Sequence, residues 1–169
     1  MRRVPSGGTE RLVPYDAFLF PADAACRAAD GRRGVHRLVV AVPEEGADIA
    51  LRLLLGEAVR ARGLSGPAAL MRLGGPGLGF LSFPMPGYVL ALDIPERPGA
   101  EAVLRRLVRV ALDRGGRVCL AEDSCLPADA VPAMYPELAQ FRAVLEAVDP
   151  QGRMQSDLAR RLALRGGRP

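Results

Sequence analysis

"GVHRLVVAVPEEGADIALRLLLGEAVRARG", residues 34–63, sets two periodicities side by side. Its first ten residues are rich in β-branched types and bounded by Gly34 and Pro43, which reads as a strand. In the remainder, Leu51, Leu54, Leu55 and Ala58 recur at i, i+3, i+4, i+7, the spacing of a helix face. Glu44, Glu45 and Asp48 suit the positive end of that helix, and Gly63 suits its C-cap. A strand running through an acidic turn into a helix is the first half of a βαβ unit.

The second half is spelled out downstream. "PAALMRLG" (67–74) is a candidate strand, and a Gly/Pro-rich loop then leads to a clearer one, "YVLALDIP" (88–95). A second helix is expected over about 98–114, with Leu104, Leu107, Val108 and Ala111 as its buried stripe and the glycine pair 115–116 as its stop. "RVCLAE" (117–122) supplies the fourth strand. The order βαββαβ predicts an α+β fold of the ferredoxin-like kind, a four-stranded antiparallel sheet with both helices on one face. A C-terminal helical tail follows, with a helix over 136–148 and a last helical stretch in "GRMQSDLARRLAL". The expected divisions are a loose arm (1–19), a core domain (20–125), the tail (126–164) and a disordered end (165–169).

Composition bounds the function. Apolar residues are 49% and charged residues 25% of the 169, and no apolar run reaches the ~18 residues of a membrane span. The start of the chain has arginines but no apolar signal segment, so a cytoplasmic protein is expected. Every basic residue except one histidine is arginine, which excludes Schiff-base lysines and the lysine of a phosphate loop. The arginines are dispersed among acids and only 5% of residues are aromatic, a pattern of solvated surface rather than nucleic-acid binding. Cys26, Cys119 and Cys125 are odd in number and lack C-x-x-C spacing, so reduced thiols are expected, and neither disulfides nor a metal site.

Three local signals invite chemistry. "GGPGLG" (74–79) looks like a phosphate-cradling loop, but it runs toward a strand instead of opening a helix, and Pro76 removes a donor. His36 is the sole histidine, so any Ser-His-Asp or Cys-His mechanism has to use it. Strand alternation places it on the face opposite Arg37 and Val39, where a structural or surface role is the plainer reading. The nine residues "RVCLAEDSC" (117–125) gather thiols, carboxylates and a serine in one turn of sequence.

Those same residues carry a resemblance. "LSFPMPGYVLALDIP", "GGRVCLAEDS", "AMYPEL" and "DPQGRMQSDLARRLAL", in this order and spacing, resemble the C-terminal part of FAD-linked oxidases of the vanillyl-alcohol oxidase type, nearest to their sugar-oxidising members. The likeness runs from Phe20 to Leu164 and includes the latter half of the substrate (cap) domain and the tail, without the flavin-binding domain. In the family a motif of tyrosine, two residues, lysine, aspartate and serine lies beside flavin and substrate. On this chain it falls on "CLAEDS", so Cys119 holds the tyrosine position, Glu122 the lysine position, and Asp123 and Ser124 are kept. The sugar-facing strand glutamines correspond to Arg37 and Val39, a second site lysine to Arg72, and an asparagine and a cysteine to Val89 and Ala91.

The resemblance implies catalytic roles for Glu122, Arg72 and Asp123, and substrate contacts from Arg37, Val39, Val89, Ala91 and Cys119. Cys119 and Glu122 would meet a flavin only if a partner brings one. A carboxylate at position 122 would repel an electron-rich reduced ring, and the lining has become mostly apolar. Three functions stay open. The chain is a cap subunit completing a separate FAD-binding chain, with FAD held only through that partner and none by the isolated chain. Alternatively it is a flavin-free pocket protein, homodimeric through its freed sheet, that binds a small apolar molecule or catalyses a cyclisation or isomerisation. The third is a fragment without activity.

Overall fold

The computed structural model describes residues 12–19, 34–61, 64, 66 and 68–165, which fall into two units, 1–34 and 35–169. In the first unit the described residues form one short helix, α1 (Tyr15–Leu19), with the Phe18 amide donating to Pro14 O at 3.0 Å. The second unit runs β1 (Val35–Pro43), α2 (Ala47–Arg60), β2 (Ala69–Leu73), β3 (Gly87–Pro95), α3 (Ala100–Asp113) and β4 (Arg117–Val118). Two 3₁₀ turns (Leu120–Glu122 and Ala128–Ala130) and the helices α4 (Val131–Met134), α5 (Leu138–Val148) and α6 (Asp157–Arg161) follow.

The expected mixture of helices with a four-stranded antiparallel sheet is what the chain forms. The strand order is β2-β3-β1-β4, and each neighbouring pair is antiparallel. Alternation explains the core: Leu38, Val40 and Val42 on β1 and Leu90, Leu92 and Ile94 on β3 are buried in one cluster with Leu54 of α2 and Leu104 and Leu107 of α3. Each such side chain contributes roughly 1.5–3 kcal/mol on leaving water. All four residues of the expected α3 stripe are buried. In α2 the stripe is rotated, because Leu54 and Ala58 are buried whereas Leu55 is exposed.

The glycine pair ends α3 by a defined motif. Gly116 N–H donates to Ala111 O (2.8 Å) and Gly115 N–H to Leu112 O (3.1 Å), with Gly115 left-handed at φ 66°. This double closure satisfies two carbonyls that the helix end would otherwise orphan. Gly63, expected to cap α2, lies outside the described residues; the Ala61 amide closes that helix onto Glu57 O at 3.1 Å.

One expectation, the length of the fourth strand, needs correction. Strand four is two residues long instead of six, because the chain turns at Cys119: the Glu122 amide donates to Cys119 O (3.3 Å) and Leu120–Glu122 winds into a 3₁₀ turn. Glu122 is therefore beside the sheet and not in it. The tail, moreover, is part of the core, since Val131, Met134, Tyr135, Leu138, Leu162 and Leu164 are buried in the same cluster as the strands. Arg165, placed in the expected disordered end, has defined partners in Met154 O and the Asp149 carboxylate. Residues 166–169 lie outside the described set.

Tyr135 shows how the tail seals the sheet. Cys119 N–H pairs inward to Val39 O at 2.8 Å, so antiparallel geometry directs the neighbouring Val118 carbonyl to the outer edge. There the fully buried Tyr135 Oη donates to it at 2.6 Å. Burial above all pushes the Tyr135 hydroxyl well above the ordinary phenol range, keeping it a donor. The Arg117 guanidinium lies over the same ring, 5.2 Å from its centre.

Candidate functional site on the second face of the sheet

The odd-numbered residues of β1 and β3 point away from the helices, and register fixes which of them meet. Ala69 pairs with Ala91, Ala91 with Val39, and Val39 bonds Cys119, so these four form one row straight across the sheet. The next row is Met71, Val89, Ala41 and Arg117. On the other side lies the Asp93–Arg37 pair. Neighbouring strands stand ~4.8 Å apart, so the rows make a continuous patch.

Coverage of this patch is uneven. Ala41 and Val89 are buried although they face away from the helices. Arg117, in their row, donates to Ser82 O at 2.9 Å, which brings the loop before β3 against this end of the face. In the neighbouring row Val39, Ala91 and Cys119 are half-buried and Ala69 is exposed. The result is a shallow floor of small apolar side chains with a thiol at one end.

Its border is charged. Arg37 grips Asp93 with both ends of the guanidinium, Nε to Oδ1 at 2.7 Å and Nη2 to Oδ2 at 2.8 Å. Glu122 Oε2 stands 4.0 Å from the same Nε. Among these three side chains one cation thus faces two carboxylates. The floor favours a flat or branched apolar group.

Of the residues singled out from the sequence, Arg37, Val39, Val89, Ala91 and Cys119 therefore share one face, with Glu122 at its edge. Arg72 does not join them. It pairs with Tyr88, which pairs with Val42, so it lies on the other side of β2 and near the opposite end of β1 from Arg37. There it donates to Glu44 Oε1 at 2.6 Å.

Asp123 also points elsewhere. Its side chain has no exposed surface, and its Oδ1 accepts the amides of Cys125 (2.9 Å) and Leu126 (2.7 Å). Its Oδ2 accepts Arg161 Nη2 of α6 at 2.6 Å, and Arg161 also donates to the carbonyls of Asp123 and Leu126. The Ser156 hydroxyl caps α6 by accepting the Ala159 amide at 3.1 Å, which sets the helix that carries Arg161. Asp123 thus clasps the tail to the loop after β4.

Sequence reading missed Asp93, because only register shows that it faces Arg37. It also missed the surroundings of His36, whose Nδ1 lies 3.1 Å from Ser124 Oγ and whose Nε2 contacts Glu96 Oε2. Cys119 and Cys125 are free thiols, and burial first, then the Asp123 charge, pushes the Cys125 thiol up to about 11. Among the described residues no three His, Cys, Asp or Glu side chains gather as metal ligands, and no helix is long and apolar enough to cross a membrane.

No family model matches the chain. Over 99 residues it is 46% identical to a Streptomyces coelicolor protein described as "Uncharacterized protein in mprA 5'region", covering 58% of this chain and 27% of that one. Over 96 residues it is 40% identical to decaprenylphosphoryl-beta-D-ribose oxidase of Mycolicibacterium smegmatis, covering 56% of this chain and 21% of the oxidase. This partial similarity to an FAD-linked oxidase supports an oxidoreductase-related origin. The chain spans about a quarter of the length of these relatives, 27% of one and 21% of the other.

Proposed function

We propose that this chain acts in the cytoplasm as the cap of an FAD-dependent alcohol or sugar oxidoreductase, its apolar sheet face forming one wall of a site whose flavin is held by a separate chain. The strand order β4-β1-β3-β2 with α2 and α3 packed on one side supports reading this cap as ferredoxin-like. The observation that carries the reading is that the cap positions inferred from the resemblance, Arg37, Val39, Val89, Ala91 and Cys119, fall on one continuous face. The partner's flavin would supply the two-electron oxidation.

The chain's own residues fit one side of a flavin site and not a whole one. Val39, Ala91 and Ala69 suit a flat ring or the apolar part of a substrate, whereas the Glu122 carboxylate does not suit an anionic reduced ring. Arg37, 4.0 Å away, offsets that charge in part. The substrate portion held here is therefore neutral and largely apolar. Asp123 serves the fold of this wall, and Arg72 lies outside it.

Co-expression with a flavin-binding chain of the oxidase type tests the proposal. The pair is expected to co-purify with the flavin absorption band, and Val39→Asp is expected to weaken turnover at least tenfold. The proposal fails if no flavoprotein is recruited.

A second reading rests on the apolar floor, which suits an uncharged ligand without flavin, with the open face closing on a second copy. A dimer that binds apolar ligands in the absence of any flavoprotein would favour it.

A further inference from the structure

His36 stands between two groups that no role described above uses. It lies on the parity of Leu38 and Val40, so it is separate from the Arg37–Asp93 face. Its Nε2 contacts the carboxylate of Glu96, just after β3, and its Nδ1 lies 3.1 Å from the hydroxyl of Ser124. An ionised carboxylate can only accept, so Nε2 of the neutral ring carries the hydrogen and Nδ1 is left as an acceptor facing Ser124 Oγ–H. The order is hydroxyl, base, orienting carboxylate. Ser124 is exposed and His36 half-buried, so the hydroxyl is open to solutes while the ring is held.

We propose that Ser124, His36 and Glu96 form a nucleophilic relay that hydrolyses small esters with a short apolar acyl group. Ser124 Oγ attacks the ester carbonyl as its proton passes to His36 Nδ1. The bond to the leaving alkoxide breaks, and Nδ1 returns the proton to give the free alcohol. Water then attacks the acyl-serine, gives a proton to Nδ1, and releases the acid while Ser124 recovers its hydrogen. The sum is ester and water to acid and alcohol, with no co-reactant beyond water.

The surroundings define the substrate. Cys125, next in the chain, opens on a cleft of about 250 Å³ with Val108, Leu112 and Pro127 among its walls, small enough to select a short acyl chain. Around the Cys125 thiol the Asp123 and Glu101 carboxylates act against Arg161 and Arg105, and each arginine is paired with one of those carboxylates at 2.6 Å, so this surround carries no excess positive charge. The Cys125 and Leu126 amides are taken by Asp123 and do not serve as oxyanion donors, so the relay alone carries the hydrolysis and turnover is expected to be slow.

The test uses the full chain with a fluorophosphonate probe and p-nitrophenyl butyrate. Mass mapping is expected to place one adduct on Ser124, with Ser124→Ala abolishing it. His36→Gln is expected to slow labelling and hydrolysis by about 10²-fold, and Glu96→Gln by a smaller factor. Circular dichroism of each variant separates these losses from misfolding, and Ser124→Ala, at an exposed position, keeps the test open if His36→Gln does not fold. Acylation of a cysteine alone, recognised by its release with neutral hydroxylamine, overturns the proposal. So does an adduct on Ser124 that forms equally fast in His36→Gln.

Discussion

Replacing Asp123 by alanine removes the clasp between the post-β4 loop and α6, and the size of the loss can be built from its contacts. The Leu126 amide sits in a buried residue and would lose its acceptor, at a cost of about 2 kcal/mol. The Cys125 amide is only partly buried, so water replaces part of its bond and the cost is about 0.5–1 kcal/mol. The Arg161 ion pair has one partner about a third exposed and adds about 0.5–1 kcal/mol. The sum is about 3–4 kcal/mol, or a melting point lower by roughly 10 °C for a chain of this size. Asp123→Asn keeps an oxygen for the two amides but turns an amide donor toward Arg161, so its loss is expected to be smaller, about 1–2 kcal/mol. Urea unfolding followed by circular dichroism measures both variants. A double-mutant cycle with Arg161→Ala is expected to show a coupling of at least about 0.5 kcal/mol. Equal losses in Ala and Asn variants, or strict additivity with Arg161→Ala, would refute the clasp.

Three other outcomes are expected. Tyr135→Phe removes the hydroxyl that serves Val118 O at the sheet edge, and unfolding should show a loss of about 1–2 kcal/mol; less than about 0.5 kcal/mol would mean that water takes over the carbonyl. The amides of Met154 and Arg153, then the Arg165 charge, hold the Asp149 carboxyl below its ordinary value. Its contribution is therefore full above the unfolded-state value near pH 4 and lost as pH falls through the lowered folded value, so the melting gap between wild type and Asp149→Asn should shrink below about pH 4. A gap that widens on acidification would contradict this. With its thiol raised to about 11, Cys125 should react with a disulfide reagent at pH 8 about a hundredfold more slowly in the folded chain than in urea, as peptide mapping can follow. Equal rates would show that the thiolate is not suppressed.

The parts of the fold legible in the sequence are those set by period alone. The α3 stripe and its glycine stop, and the alternation of β1 and β3, follow from residues within one element. What distance in the chain separates was not legible. The burial of the tail depends on Leu162 and Leu164 reaching a core built more than a hundred residues earlier, around Leu54, and the early end of β4 comes with the 3₁₀ turn over Leu120–Glu122, which the strand-like run 117–122 does not announce. The candidate site divides in the same way. Of the residues that family likeness singles out, Val39, Ala91 and Cys119 lie on one face of the sheet, whereas Arg72 and Asp123 lie elsewhere, a separation that only strand register and contacts reveal. Partners such as Asp93 and Glu96 carry no local signature and emerge only from strand pairing.

The late arrival of the sealing residues matters for how the chain is made. A nascent polypeptide that has emerged as far as Val118 holds the four strands of the sheet, yet Tyr135, Leu162 and Leu164 have still to come. At ~5–20 residues per second, several seconds pass before they do, with the edge carbonyl and part of the inner apolar wall wet. During that interval the half-made sheet is a natural client for a holding chaperone, and rapid translation of the final segment shortens its exposure to aggregation.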